Sequence, residues 1–264
     1  MRRSRAGLVV GVVAAMALLV AACRGAGDDP AQIVRAAASK TEAADSSRLA
    51  VTVDVHQGPL QGAVTAEGEF DYGTRRGRMS MDVPRLGAMD AIADGSVLYM
   101  KFPAALAQQL PGGKSWVKLD VESAARQSGF DVSELAQVQQ GDPTQALQYL
   151  RGASDDVKKV GEEELRGAHT THYTATLDLK RAASSLSGAR RTAYDKAIAR
   201  LGSATLPADV WVDDAGRARK LSFTQDAADV TLELYDFGVD VDAPPPAASD
   251  VVDLAELLGG GAAG

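Results

Sequence analysis

LAVTVDVHQGPLQGAVTAEGEFDY, residues 49–72, alternates apolar and polar side chains in two runs separated by a glycine- and proline-containing break. Leu49, Val51, Val53 and Val55 fall on one side of an extended chain, and Thr52, Asp54 and His56 on the other. After the break, Val64, Ala66, Gly68, Phe70 and Tyr72 oppose Thr65, Glu67, Glu69 and Asp71. A period of two predicts neighbouring antiparallel strands with one dry face and one wet face.

The same alternation spreads in both directions. Met79, Met81 and Val83 repeat it, and Asp94-Gly95 turns the chain into SVLYMKF. SWVKLDV and DVKKV are further strands, and a long one is expected through LRGAHTTHYTATLDL (165–179). ADVWVD, RKLSFT and VTLELYDFG close the series, with Asp213-Asp214-Ala215-Gly216 as the hairpin between the first two. Helices are predicted at six places. One starts at Asp28-Asp29-Pro30, an acidic cap followed by proline, with Ile33, Val34, Ala37 and Ala38 as its stripe. Others cover Pro103–Leu110, Ser133–Gln140, Pro143–Arg151 and Lys180–Leu201. A triple proline at 244–246 links to a short terminal helix over Val251–Leu258. The fold class is therefore α+β: nine or ten strands in a single curved antiparallel sheet, a half-barrel, with helices on its concave face.

Upstream of the sheet, Arg2, Arg3 and Arg5 precede an apolar run from Ala6 to Ala22, the pattern of an export signal. The run is shorter than the roughly 20 residues of a spanning helix. Leu19-Val20-Ala21-Ala22-Cys23 resembles a bacterial lipobox, which implies that the Cys23 thiol is acylated, with palmitate-type chains, and becomes the mature N-terminus. Cys23 is the one cysteine, so disulfides are excluded and the fold rests on its hydrophobic core. Loss of the three arginines takes the formal charge from −7 to −10. That excludes nucleic acid as a partner and leaves membrane attachment to the lipid at Cys23.

An acylated cysteine followed by helix, meander, inserted helices and three last strands resembles the LppX/LprG-type lipoproteins of actinobacteria, which are LolA-like. The lipobox and the late hairpin LPADVWVDDAGRARKLSF (206–223) carry the likeness. It implies an extracytoplasmic, membrane-anchored, lipid-binding protein of the cell envelope whose half-barrel takes acyl chains. The expected organisation is signal peptide 1–22, lipidated tether 23–29, half-barrel 30–242, and link, helix and tail 243–264.

On the strands, the inward apolar face comprises Val53, Val64, Phe70, Met79, Met81, Val117, Leu119, Val210, Val212, Leu221, Phe223, Leu232 and Leu234. It serves as packed core or, where helices leave it uncovered, as an apolar cleft; flexible Met79 and Met81 suit alkyl chains. Ala182, Ala183, Ala189, Ala193 and Ala197 give the long helix a stripe of small side chains. Around them, Lys180, Arg181, Arg190, Arg191, Lys196 and Arg200 outnumber Asp178 and Asp195. Arg190, Arg191 and Lys196 are candidates for contact with anionic headgroups or an envelope protein partner.

Catalysis and metal binding find little support. PGGKSW has Gln108 where a phosphate loop needs glycine, and strand rather than helix follows. His169 and His172 point to opposite faces of a strand and lack a third ligand. Asp155-Asp156 and Asp213-Asp214 belong to turns, and no nucleophile elbow occurs. No enzyme activity and no cofactor are expected. The leading reading is a carrier of a lipid or other apolar ligand; the alternative is a solid-core scaffold or partner-binding lipoprotein without a cavity.

Overall fold

A computed structural model describes residues 29–58, 61–120, 143–201, 203–225 and 228–259. Its strands are β1 (Ser46–Val55), β2 (Gly62–Asp71), β3 (Arg76–Val83), β4 (Gly87–Asp94), β5 (Val97–Lys101), β6 (Trp116–Asp120), β7 (Lys158–Leu165), β8 (Ala168–Asp178), β9 (Thr205–Asp213), β10 (Ala218–Gln225), β11 (Ala228–Tyr235) and β12 (Val251–Asp253). The helices are α1 (Pro30–Glu42), α2 (Ala104–Ala107), α3 (Pro143–Leu150), α4 (Leu179–Ala182), α5 (Gly188–Leu201) and α6 (Leu254–Gly259).

All twelve strands form one sheet in the order β12-β6-β5-β4-β3-β2-β1-β11-β10-β9-β8-β7. Every pairing is antiparallel except β12 with β6. The alternation in residues 49–72 becomes register here. Tyr173, Val210, Leu221, Leu232, Val51, Ala66, Met81 and Met89 lie side by side, one on each strand from β8 across to β4. This row faces inward, and its neighbours in sequence lie on the outer face.

Among the described residues, α1 and α3 cover one half of that inner face. In α1, Asp29 caps the first turn by accepting from Ala31 N at 3.1 Å, ahead of Pro30. Its buried stripe is Ala31, Val34, Ala37, Ala38 and Thr41. Thr41 Oγ1 donates to Ala37 O at 2.7 Å and accepts from Ala218 N at 2.9 Å, tying the helix to β10. From α3, Leu147 and Leu150 reach down onto Ala218, Leu221, Leu232 and Leu234 and leave no room for a water molecule. Under α1 and α3 the half-barrel is solid core.

Two glycines of β2 and β3 have no room for a side chain. A Cβ on Gly68 would stand 2.2 Å from the Arg78 carbonyl oxygen, and one on Gly77 2.6 Å from that of Glu69. Only bare backbones come this close, so these two positions require glycine. Gly68→Ala should therefore lower stability by about 1–3 kcal/mol. Thermal denaturation checks it: at this chain length the melting temperature should fall about 2–4 °C per kcal/mol.

Several expectations need correction. The long strand expected over 165–179 is present as β8 but starts later, at Ala168, because Arg166 (φ 48°) and Gly167 (φ 74°) turn β7 into β8. The helix over 180–201 is broken. Asp178 caps α4, accepting from Lys180 N and Arg181 N, a 3-10 turn takes Ala183–Ser185, and left-handed Gly188 (φ 59°) opens α5. Within the terminal segment, Val251–Asp253 extend as β12 before the chain becomes helical, closing the β6 edge of the sheet. The helix expected at Ser133–Gln140 lies outside the described residues.

Candidate ligand cleft

The candidate cleft is the part of the inner face beyond the described helices α1 and α3. Val53, Val64, Phe70, Met79, Met81, Val117, Leu119, Val210, Val212, Leu221, Phe223, Leu232 and Leu234 all share that face by register. Their burial divides them. Val210, Val212, Leu221, Leu232 and Leu234 are core beneath α1 and α3, and Phe70, Val117 and Leu119 are also buried. Val53, Val64, Met79, Met81 and Phe223 are only half-buried.

Exposure follows a gradient along the strands. At one end, Ser47 and Leu49 are sealed, with Ser47 Oγ and the Tyr72 hydroxyl 2.7 Å apart. The Tyr72 amide donates to Asp45 O at 2.8 Å, and Gly238 N to Ser46 O at 3.0 Å. Toward the other end of β1, Val51 and Val53 become half-exposed. The same change occurs from Leu234 to Val230 on β11 and from Phe70 to Val64 on β2. The apolar surface continues through Met79 and Met81 to Leu98 and Met100 on β5. Leu86, 41% exposed, stands at this open end in the β3–β4 turn. Val51, Val230, Leu98 and Met100 extend the half-exposed apolar strip beyond the residues picked from sequence, and their own alternation in LAVTVDVH, VTLELYDFG and SVLYMKF was the available signal.

Polar side chains cluster on the outer face. His172 stacks on Trp211 with ring centroids 4.2 Å apart, and its Nε2 is 2.7 Å from Asp209 Oδ1. Lys220 Nζ lies 4.4 Å over the other ring system of this group, Trp211. His169 lies beside Asp214 at 3.0 Å; that hydrogen bond and the carboxylate charge hold its imidazole above its ordinary pKa. Among the described residues, no group of three or more His, Cys, Asp or Glu side chains could hold a metal ion. PGGKSW begins as a 3-10 turn at Pro111–Gly113 and runs into β6.

Of the basic candidates, Arg191 is engaged within its own neighbourhood: its Nε donates to Asp195 at 2.8–2.9 Å and its Nη1 to Ala183 O at 3.1 Å. The side chains of Arg190 and Lys196 lie outside the described residues, as do those of Ala189, Ala193 and Ala197 and all of Cys23. Ala182 and Ala183 are buried in the core. No described helix is long and apolar enough to cross a membrane.

A single curved, mostly antiparallel sheet with helices on its concave face is the LolA-like half-barrel of bacterial lipoproteins. The chain belongs to the LppX_LprAFG lipoprotein family, whose model matches residues 29–243. Similarity to the lipoprotein LppX of Mycobacterium tuberculosis covers 81% of this chain and 98% of that one, with a TM-score of 0.54 and 14% identity. Likeness at that identity shows the fold alone. LprF of Mycobacterium bovis aligns over 83% of this chain and 97% of its own, at 17% identity and a TM-score of 0.49. A 31.2 kDa protein encoded between rplA and rplJ in Streptomyces griseus is 34% identical over 165 residues, 58% of this chain. A protein of Streptomyces coelicolor named as a lipoprotein is 30% identical over 188 residues, 66% of this chain. The chain spans about half the length of these two curated relatives, 52% and 55%.

Proposed function

We propose that this protein is a membrane-anchored extracytoplasmic carrier that holds a lipid or other apolar molecule against the half-exposed part of its inner sheet face. The observation that carries the reading is the continuous apolar strip from Phe223 and Val230 through Val53, Val64 and Met81 to Met100, open at one end and sealed at the other. An alkyl chain laid on it gains about 0.8 kcal/mol per buried CH₂. No covalent chemistry is involved. Residues 1–22 serve as the export signal, acylated Cys23 attaches the protein to the membrane, and residues 24–29 are the tether.

The solid packing under α1 and α3 favours a second reading, a scaffold that recognises an envelope protein with its surface. Native mass spectrometry of the protein from a lipid-containing host separates the two. A discrete added mass in the lipid range, lost on denaturation, is expected. A bare mass from several hosts would leave the scaffold reading.

A further inference from the structure

Tyr194 of α5 is buried, 6% exposed, and its hydroxyl has no hydrogen-bond partner among the described residues. Buried hydroxyls are ordinarily paired, and an orphan marks a place where a water, an ion or a ligand belongs. The surroundings of this one are apolar and aromatic. Its ring meets the edge of Tyr149 on α3 at 5.8 Å, and Tyr149 in turn meets Phe223 on β10 at 6.3 Å, all three edge to face. Phe223 is half-buried and belongs to the open strip, beside Val230 and, one strand further, Val53. Three rings in edge-to-face contact thus run from Phe223 on the open strip to Tyr194. Burial pushes the phenols of both Tyr149 and Tyr194 above their ordinary pKa, so each remains a protonated donor.

We infer that the Tyr194 hydroxyl is a specificity-determining contact of the cleft: it donates a hydrogen bond to an acceptor oxygen, such as an ester or amide carbonyl, carried by the acyl ligand. This rests on the carrier reading and adds to it a selection rule, because a plain hydrocarbon of equal length leaves the donor unpaired. Discrimination of this kind comes from a buried polar group that only one ligand satisfies.

The test uses the purified protein stripped of bound lipid and loaded with a hydrophobic fluorophore, displaced by methyl palmitate or by octadecane, which match in chain length. For the native protein, methyl palmitate should bind more tightly. In Tyr194→Phe that preference should disappear: affinity for the ester falls about fivefold, as for one neutral hydrogen bond, while that for octadecane stays within about twofold. Tyr149→Phe should keep the preference. The melting temperature of ligand-free Tyr194→Phe should equal or exceed that of the native protein, since an unpaired hydroxyl is removed. If both probes bind and Tyr194→Phe changes neither or weakens both alike, the inference is overturned and the carrier reading stands. A lower melting temperature for that variant would reveal a hidden partner and overturn it too. If neither probe displaces the fluorophore from the native protein, the carrier reading itself fails and takes the inference with it.

Discussion

Val53→Glu and Met81→Glu should each empty the protein of lipid while leaving its fold in place. Both side chains sit on the inner face in the half-exposed strip, Val53 on β1 and Met81 two strands away on β3. Half-exposure lets a carboxylate reach water in the free protein, so the far-UV spectrum should be unchanged and the melting temperature little altered. An alkyl chain laid over the same spot would strip that water away. Burying an unpaired carboxylate costs several kcal/mol even after relaxation, which corresponds to a loss of about 100-fold or more in affinity. Thr52→Glu is the matched control. It stands one residue away on the same strand, paired with Thr65 and Thr231 on the outer face, and should keep its bound mass in a native spectrum. Retention of the adduct by Val53→Glu and Met81→Glu would place the ligand elsewhere; loss from all three would point to a general defect.

The contrast between Val53 and Thr52 also shows why the sheet was legible. A strand's period of two is written into single residues, and every apolar cleft candidate read from that alternation lies on the inner face. What the alternation does not encode is what covers each position. Val210 and Val53 look alike in sequence, yet Val210 is fully buried and Val53 half-exposed, because α1 and α3 reach one half of the sheet only. Depth is a tertiary quantity. Breaks inside regular patterns were missed for a different reason. Arg166-Gly167 contains one glycine amid good strand formers, and the left-handed φ of Arg166 leaves no compositional mark. The Gly188 break was masked by the alanines on both sides. β12 is only three residues long, and a parallel partner far away in sequence, β6, makes it a strand. Gly68 reads as a weak point in an apolar row until its approach to the Arg78 carbonyl shows that no side chain fits there.

Asp213→Ala should cause the largest loss of stability among single surface-to-core changes at the late hairpin. The Asp213 side chain, 5% exposed, gathers the turn around itself. Oδ1 accepts from Arg217 N at 2.9 Å and Oδ2 from Arg217 Nε at 3.0 Å. Arg217 Nη2 lies 2.9 Å and Arg219 Nη1 3.9 Å from the same Oδ2. Both guanidiniums also lie over the Phe237 ring, at 4.4 and 5.1 Å from its centre. A register shift between Ala218 and Lys220 is what leaves Arg219 in this position. Its side chain is 10% exposed, and burial pushes its pKa below the usual guanidinium value, although Asp213 opposes that shift. Without the carboxylate, Arg219 remains as a buried cation with only the weaker attraction of Asp236, and the Arg217 amide loses its side-chain acceptor. Removing one member of a buried pair costs about 3–5 kcal/mol, or roughly 6–20 °C in melting temperature at this chain length. Buried pairs are weakly screened, so the loss should persist in high salt, unlike that from the exposed pair of Arg48 and Asp236. Asp213→Asn keeps an acceptor for the backbone and should fall between the two. Adding Arg219→Met to Asp213→Ala should recover part of the loss, because the stranded charge goes with it. If Asp213→Ala melts within about 2 °C of the native protein, the hairpin is held by its strand pairing alone, and the buried carboxylate has no stabilising role.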